Sequence, residues 1–418
     1  MAVLILAGMV LAAGCGAGPA AVRPGTAPRV RRHVALAEPP ADPRPYGAAD
    51  TSFGLSLLGA WCHQDPDANI VFSPESLATG LSLAYLGARG STARAMAGVL
   101  RLPAAGRALV AGLHARSAAL HALDRPGLTL AASDQLWADP ALPARPGFLT
   151  ALASGDGAGV RQVPLLSHPV TAAQQIDAEV AAATRGHIPR LLTPEQLRDS
   201  RSGWVLTDAL YLGAQWATPF QASQTAPGAF TTAAGQHVTA RFLRGGSFPA
   251  AAAGGWTAVS LPYRGGKLAM TALRPDSGAR GCPALTVATV RTITAALARG
   301  GAGRRAAVAL PKVSLRSSAS LPNLLSRLGM GVAFTPAADF HGLSPAACCI
   351  GTVVHAATLD VAERGTVGSA ATAVTIKPDV GVARTPAAVT FNRPYLLLVT
   401  DTRTGEPLFL ARVADPAA

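Results

Sequence analysis

The residues able to do covalent chemistry in this 418-residue chain are few and badly placed for catalysis. No Gly-x-Ser-x-Gly turn presents a serine nucleophile, and there is no phosphate-binding loop or dinucleotide fingerprint. Nine histidines are scattered, none at the His-x-x-x-His spacing that would set two imidazoles on one helix face. Cysteines stand at 15, 62, 282, 348 and 349, a spacing that matches no zinc motif. Cys348 and Cys349 are adjacent, a poor geometry for bridging each other. The last four cysteines read as free or buried thiols. In an oxidising compartment the alternative is a disulfide from Cys62 or Cys282 to one of the adjacent pair. With no nucleophile constellation, the chain reads as a protein without enzymatic activity, cofactor or metal.

The unusual chemistry lies in residues 354–376. The first half alternates like a strand. From Thr366 to Ile376 there is no charge, small residues dominate, and proline is absent until Pro378. Exposed connections normally carry charge, proline or asparagine. By parity one face is Thr366, Gly368, Ala370, Thr372, Val374 and Ile376; the other is Val367, Ser369, Ala371, Ala373 and Thr375. Neither face resists burial, so this segment can sit outside as a loop or enter the middle of a sheet.

Glu363-Arg364-Gly365-Thr366-Val367-Gly368-Ser369-Ala370-Ala371 resembles the reactive-loop hinge of the serpins. Four further stretches keep the order and spacing of that family from about 48 to 416. They are Asn69-Ile70-Val71-Phe72-Ser73-Pro74-Glu75-Ser76 with the helix after it, Leu206 to Phe220, Phe391-Asn392-Arg393-Pro394-Tyr395, and Leu408 to Val413. The resemblance implies an α+β fold: one serpin-like domain with a large central mixed sheet, smaller sheets, about eight or nine helices and an exposed reactive-centre loop at about 363–390. It also implies a suicide-substrate inhibitor that is cut by a serine protease, forms a covalent complex and inserts its loop into the central sheet. A non-inhibitory serpin-fold binding or scaffold lipoprotein is the alternative. Such members tend to carry bulky or charged hinge residues, whereas here the hinge is Glu363, Gly365, Thr366, Gly368, Ser369, Ala370, Ala371 and Thr372.

Family spacing puts the scissile bond near Asp379. Val380 or Val382 would suit an elastase- or subtilisin-like protease and Arg384 a trypsin-like one; Lys377 is blocked by Pro378. Ser73, Ser76 and His355 match the polar shutter beneath the central strands. Asp208 stands where the family usually has Asn, which sets an ionisable pair, Asp208 and His355, under the gate. The pair reads as a fixed structural hydrogen bond; the alternative is that protonation of His355 between pH 5 and 8 changes how readily the sheet opens. Trp216 matches a buried tryptophan in the breach at the top of the sheet.

The elements that must position these residues follow the apolar pattern. Residues 49–63, 74–86, 104–123, 171–184, 287–299 and 321–328 read as helices, with Ser73 as a cap and Pro74 at the first helical position of the second. Residues 129–137, 204–212, 258–262, 268–273 and 306–313 read as strands, 204–212 buried on both faces. Mixed elements without regular alternation argue for α+β. Upstream, 3–13 is an apolar run too short to span a bilayer and reads as a secretion signal. Leu11-Ala12-Ala13-Gly14-Cys15 resembles a bacterial lipoprotein cleavage box, which makes Cys15 the lipid anchor and 1–15 the removed or anchored segment. Residues 16–47, rich in Pro and Arg, read as a disordered tether, leaving 48–418 as the domain. The expected location is extracellular, secreted or anchored to the outer face of the cell membrane, as a monomer. The formal charge of +13 comes mainly from arginine; lysine occurs only at 267, 312 and 377. With no dense basic run beyond Arg29-Val30-Arg31-Arg32, nucleic acid is excluded as a partner.

Overall fold

The computed structural model describes residues 42, 44–103, 105–153, 160–200, 202–278, 281–299, 304–366 and 388–417. In chain order these form α1 (Arg44–Gln64), β1 (Ile70–Phe72), α2 (Pro74–Gly87), α3 (Gly90–Leu100), α4 (Arg107–His121), β2 (Leu128–Ala138), α5 (Pro146–Ala153), β3 (Val160–Gln162), α6 (Pro169–Ala183), α7 (Pro194–Ser200) and β4 (Trp204–Gln215). There follow β5 (Ala226–Thr231), β6 (His237–Ala253), β7 (Trp256–Pro262), β8 (Leu268–Pro275), α8 (Val287–Ala298), β9 (Arg305–Pro311), β10 (Val313–Ser320), α9 (Pro322–Leu325), β11 (Thr352–Val361), β12 (Gly365–Thr366), β13 (Ala388–Thr390), β14 (Tyr395–Asp401) and β15 (Pro407–Val413).

The central sheet has the order β10-β11-β4-β2-β3. It is mixed: β4 runs parallel to β11 and antiparallel to β2. Both faces of β4 are covered. Val205 and Ala209 join Trp137, Val354 and Ala356 in a cluster under α6 and its Ile176 and Val180. Leu206 faces the other side, against α2 and its Leu77 and Leu81. This double burial explains the unbroken apolar run of β4. The other strands form one continuous path, β1-β15-β14-β8-β7-β6-β9-β13, with β5 on β6. β6 serves three partners: β5 along its first half, β9 up to Pro249 and β7 from Ala250.

Several expectations shift. α1 begins at Arg44, not 49, so 44–47 belong to the domain and not to the tether; Tyr46 is pinned under Arg116, whose guanidinium carbon lies 5.1 Å from its ring centroid. The extended run 306–313 is split at Lys312 between two sheets, β9 and β10. The loop expected to be exposed from 363 to 390 is in strand at both described ends, 365–366 and 388–390. The signal segment, Cys15 and the tether up to residue 41 lie outside the described residues.

The cysteine expectation is overturned. Cys62 and Cys282 are bonded to each other, with Cα atoms 5.8 Å apart, while Cys348 and Cys349 are free. Their separation of 220 residues hid the pairing, which the packing of the end of α1 against the segment before α8 creates. Closing so long a loop restricts the unfolded chain, worth about 2–5 kcal/mol. A Cys62→Ser/Cys282→Ser variant is expected to lose that much stability. Urea unfolding with and without dithiothreitol checks it: the reductant should move the wild type to the variant's midpoint and leave the variant unchanged.

Candidate functional site

β11 and β4 pair from Thr352↔Val205 to Thr358↔Tyr211. Beyond that point the chain leaves β11, turns at Ala362–Gly365, and returns as β12, which pairs antiparallel to β4 with Gly365 opposite Gln215 and Thr366 opposite Ala214. The start of the uncharged stretch is therefore already seated at the top of the seam between β4 and β11. Ala362 N–H donates to the Gly365 carbonyl at 2.9 Å and Gly365 N–H to the Ala362 carbonyl at 3.2 Å, closing the turn.

Each predicted hinge residue in view is held. The Glu363 carboxylate accepts from Lys312 Nζ at 2.9 Å and from Thr225 Oγ1 at 3.0 Å. Burial pushes this carboxyl up, but Lys312, its own backbone N–H and Thr225 outweigh that and hold it below the usual range. Trp216 N–H donates to the Arg364 carbonyl at 2.8 Å and its Nε1–H to the Ala362 carbonyl at 2.9 Å; its ring stacks on Tyr263 with centroids 4.5 Å apart. Thr366 is fully buried, its hydroxyl 2.5 Å from that of Tyr263.

Gly365 is required where it stands. Its φ is 151°, and a Cβ would fall 2.0 Å from the Ala214 carbonyl oxygen. Gly365→Ala is expected to expel β12 from the sheet without unfolding the domain. The check is hydrogen exchange at the amides of 214–216 and 365–366, where protection should fall at least about tenfold, since a lost pairing of roughly 1.4 kcal/mol is a factor of ten. Unchanged protection would mean that β12 is not held by this close approach.

The lower part of the seam carries the predicted shutter. Register places Asp134 (β2), Asp208 (β4) and His355 (β11) side by side in one row. The N-terminus of α2 straddles them. Ser73 caps it, accepting from Ser76 N–H at 3.0 Å. Ser73 N–H donates to His355 Nε2 at 3.2 Å, so the neutral ring carries its hydrogen on Nδ1 and donates it to Asp208 Oδ1. Ser76 Oγ lies 2.5 Å from Asp134 Oδ1 and in hydrogen-bond contact with Asp208 Oδ2. A hydroxyl has one hydrogen and here meets two carboxyl groups, so one of them must carry a proton and donate it back.

Electrostatics agree with that count. Burial pushes Asp208 up to about 7 and Asp134 well above the carboxylate range, the latter helped by Asp208. Burial drives His355 down to about 3, against the pull of Asp134. The His355–Asp208 hydrogen bond expected from the sequence is present, and the alternative of a histidine protonated between pH 5 and 8 is not supported: the imidazole stays neutral, and Asp208 titrates there instead. Asp208 faces Asp134 and His355 from the flanking strands and Ser76 and Glu75 from α2. A carboxyl raised from 3.8 to about 7 gives its full stabilisation below pH 3.8 and loses it as pH rises through 7. Opening of the sheet should therefore accelerate from pH 5 to 8. Asp208→Asn, neutral at every pH, should remove the step near pH 7. Unfolding rates in urea across that range measure both, and an Asp208→Asn profile identical to the wild type would exclude Asp208 as the titrating group.

Some partners were not foreseen. Asp134 sits on the Leu130, Ala132, Leu136 face of β2, and an acid on an apolar face was the available signal. Lys312 is one of three lysines in the chain. Nothing local pointed to Tyr263. Gly368, Ser369, Ala370, Ala371, Thr372, Asp379, Val380, Val382 and Arg384 lie outside the described residues.

Comparison with known proteins converges on one family. The family profile described as Serpin (serine protease inhibitor) matches residues 48–416. An uncharacterized serpin-like protein of Thermococcus kodakarensis is 29% identical over 352 residues, covering 83% of this chain and 81% of that protein. Leukocyte elastase inhibitor of Bos taurus is 29% identical over 384 residues, 88% of this chain and 99% of the relative. Among solved structures, native protease nexin-1 with heparin superposes with a TM-score of 0.75 at 22% identity, covering 90% of this chain and all of that one.

Proposed function

Because this chain belongs to the serpin family, we propose that it is a suicide-substrate inhibitor of serine proteases. The observation that carries this reading is β12: two hinge residues already paired with β4 at the mouth of the seam. Each further step down the loop is one step back along β4. Continued on insertion, the same register would bring Thr372 opposite Asp208 and Ile376 opposite Trp204, the first residue of β4. The uncharged stretch 366–376 would thus match the length of β4, with Pro378 just past its end. Thr366, Gly368, Ala370, Thr372, Val374 and Ile376 would then share the α2 face with Leu206, Asp208 and Leu210, the parity read from the sequence.

The protease serine attacks the scissile carbonyl; the peptide C–N bond breaks, the amine leaves with the proton relayed by the protease's base, and an acyl ester forms. The freed loop then parts β11 from β4, breaking the Asp208–His355 bond, and Thr372 arrives opposite Asp208 to replace it. The C-terminal product stays on the fold through β13, β14 and β15. A cut beyond Ile376 leaves the whole insert attached to the protease, which agrees with scissile candidates Asp379, Val380, Val382 and Arg384. The similar leukocyte elastase inhibitor supports an elastase-like target.

The test is to incubate the protein with trypsin-, subtilisin- and elastase-like proteases. A complex stable in SDS and a C-terminal peptide, freed from the fold by denaturation, whose mass names the scissile bond are expected; cleavage with no trapped protease would favour a non-inhibitory binding role. The reading extends to location: the Cys62–Cys282 bond suits an oxidising exterior, with lipid on Cys15 holding a monomer at the outer face of the membrane. Cys15→Ser should then release the protein into the medium.

A further inference from the structure

Among the described cysteines two thiols remain once the Cys62–Cys282 bond is accounted for, Cys348 and Cys349. They stand between the buried Ala347 and Ile350, in a run, 347–351, that is neither helix nor strand. The run is tied down on both sides. Ala347 N–H donates to the Ser344 carbonyl at 3.2 Å, Ile350 N–H to the Ala333 carbonyl at 3.0 Å and Gly351 N–H to the Trp204 carbonyl at 3.0 Å. Thr352, next in sequence, opens β11. The pair therefore sits at the foot of the β4–β11 seam.

Adjacent side chains in an extended segment point to opposite faces. These two converge. Cys348 Sγ lies 2.6 Å from Cys349 Sγ, not far above the roughly 2.0 Å of a bonded pair. The fold thus brings together two sulfurs that a regular strand would hold apart. Cys348 is exposed and Cys349 half-buried. Burial first, and then the Cys348 thiol, pushes Cys349 up to about 12, so Cys348 is the thiol that meets a reagent first.

We propose that Cys348 and Cys349 form a redox-modifiable pair that exchanges with a small-molecule disulfide and closes to a reversible vicinal disulfide. The Cys348 thiolate attacks one sulfur of the small disulfide RSSR; an S–S bond forms to Cys348 and RS⁻ leaves. Cys349 gives its proton to solvent and attacks Cys348 Sγ; the second RS⁻ leaves and the ring closes. The two protein thiols lose two electrons and two protons, and RSSR gains both pairs to become two RSH. The product is a small ring spanning one peptide bond, a strained geometry for a disulfide. Strained or exposed disulfides are the easily reduced ones. The ring should therefore open in a thiol pool that leaves the Cys62–Cys282 bond intact, Cys62 being 2% exposed. Closing the ring reshapes the backbone at 348–349, and the bonds nearest to feel it are Ile350–Ala333 and Gly351–Trp204. Loop insertion would bring Ile376 opposite Trp204, so oxidation would loosen the seam where the insert ends. That consequence rests on the insertion mechanism above; the disulfide does not.

The test is to equilibrate the intact protein with oxidised and reduced glutathione and to follow intact mass, peptide mapping and thiol alkylation. Expected with excess oxidised glutathione is a peptide carrying 348–349 that is two hydrogens lighter, with neither thiol open to iodoacetamide. Reduced glutathione should restore both thiols while Cys62–Cys282 persists. Cys349→Ser should stop at the mixed disulfide, one glutathione heavier. Cys348→Ser should react at least about tenfold more slowly, its remaining thiol being half-buried. A wild type that keeps glutathione as a mixed disulfide, that joins two chains through these cysteines, or whose two thiols stay open to alkylation overturns the proposal, and none of these readouts needs a variant to fold. Hydrogen exchange reads the link to the seam: the Gly351 amide should lose protection at least about tenfold on oxidation. Unchanged protection at Gly351 overturns that link alone, and a protein that forms the ring but traps no protease counts against the inhibitor reading and not against the ring.

Discussion

A chain carrying Thr366→Arg will be cut by the target protease and will fail to hold it. Thr366 is fully buried against Ala214 and Tyr263, and its only described polar contact is the Tyr263 hydroxyl. Burial drives that phenol far above its usual range, so it offers no charge to an arginine. Burying an unpaired guanidinium there costs several kcal/mol, and each 1.4 kcal/mol slows a step tenfold. Insertion then loses its race with hydrolysis of the ester by at least about two orders of magnitude. The readout is the number of inhibitor molecules consumed per protease trapped. The wild type should consume few; Thr366→Arg should be converted wholly to cleaved product while the protease stays active. Thr366→Val forfeits only the hydrogen bond, about 1 kcal/mol, and should still trap. An SDS-stable complex from Thr366→Arg would refute the idea that this residue leads the insertion.

The reason the hinge could be read in advance, and its supports could not, lies in where the information sits. Chain entry into a sheet demands consecutive small, uncharged residues, and that requirement is local, so 366–376 announces itself. Ser73 at the head of α2 is legible for the same reason: a cap, a first-turn proline and the helix behind it are neighbours in sequence. β4 is recognisable because burial on two faces leaves no polar alternation. The partners come from register. Asp134 meets Asp208 only because strands far apart in sequence align at one row, and Tyr263, just past β7, meets Thr366 only where it bridges to Trp216 at the end of β4. The Cys62–Cys282 bond spans 220 residues and comes from packing of the end of α1 against the segment before α8, which no local pattern announces. The helix start at Arg44 was missed because the prolines and arginines around it outweigh the one buried ring, Tyr46, that fixes it. The long β6 and the short α3 and α5 were missed because alanine and glycine mask the period that separates strand from helix, and α7 because seven residues with one apolar side chain show no period. The titration read from the sequence as the alternative chose the wrong proton: a histidine beside an acid suggests an imidazolium, but with both fully buried the desolvation of the ring dominates and the charge question passes to Asp208.

Nicking the loop within 377–385 should raise the melting temperature by about 10–20 °C. The fold with β12 alone in the seam leaves β4 without a full partner on that edge beyond Tyr211. Continuing the β12 register from 367 to 376 would add about ten residues at roughly 1 kcal/mol of net hydrogen bonding each, with burial of Val374 and Ile376 beside Leu206 and Trp204 adding to it. A gain on the order of 10 kcal/mol rivals the whole stability of an ordinary domain. At the size of this domain each kcal/mol is worth about 1–2 °C, which sets the expected shift. The uncut loop cannot collect that gain, because its far end is tied to β13 on β9, in the other sheet. The measurement is differential scanning calorimetry of intact and nicked protein, with Thr366→Arg treated in the same way. A nicked wild type that melts hotter beside a nicked Thr366→Arg that does not would tie the extra stability to an insert whose first residue, 366, is seated in the seam. A nicked wild type that melts where the intact protein does would mean that the uncut fold is already at its lowest energy, and no stored free energy would be available to carry a protease anywhere.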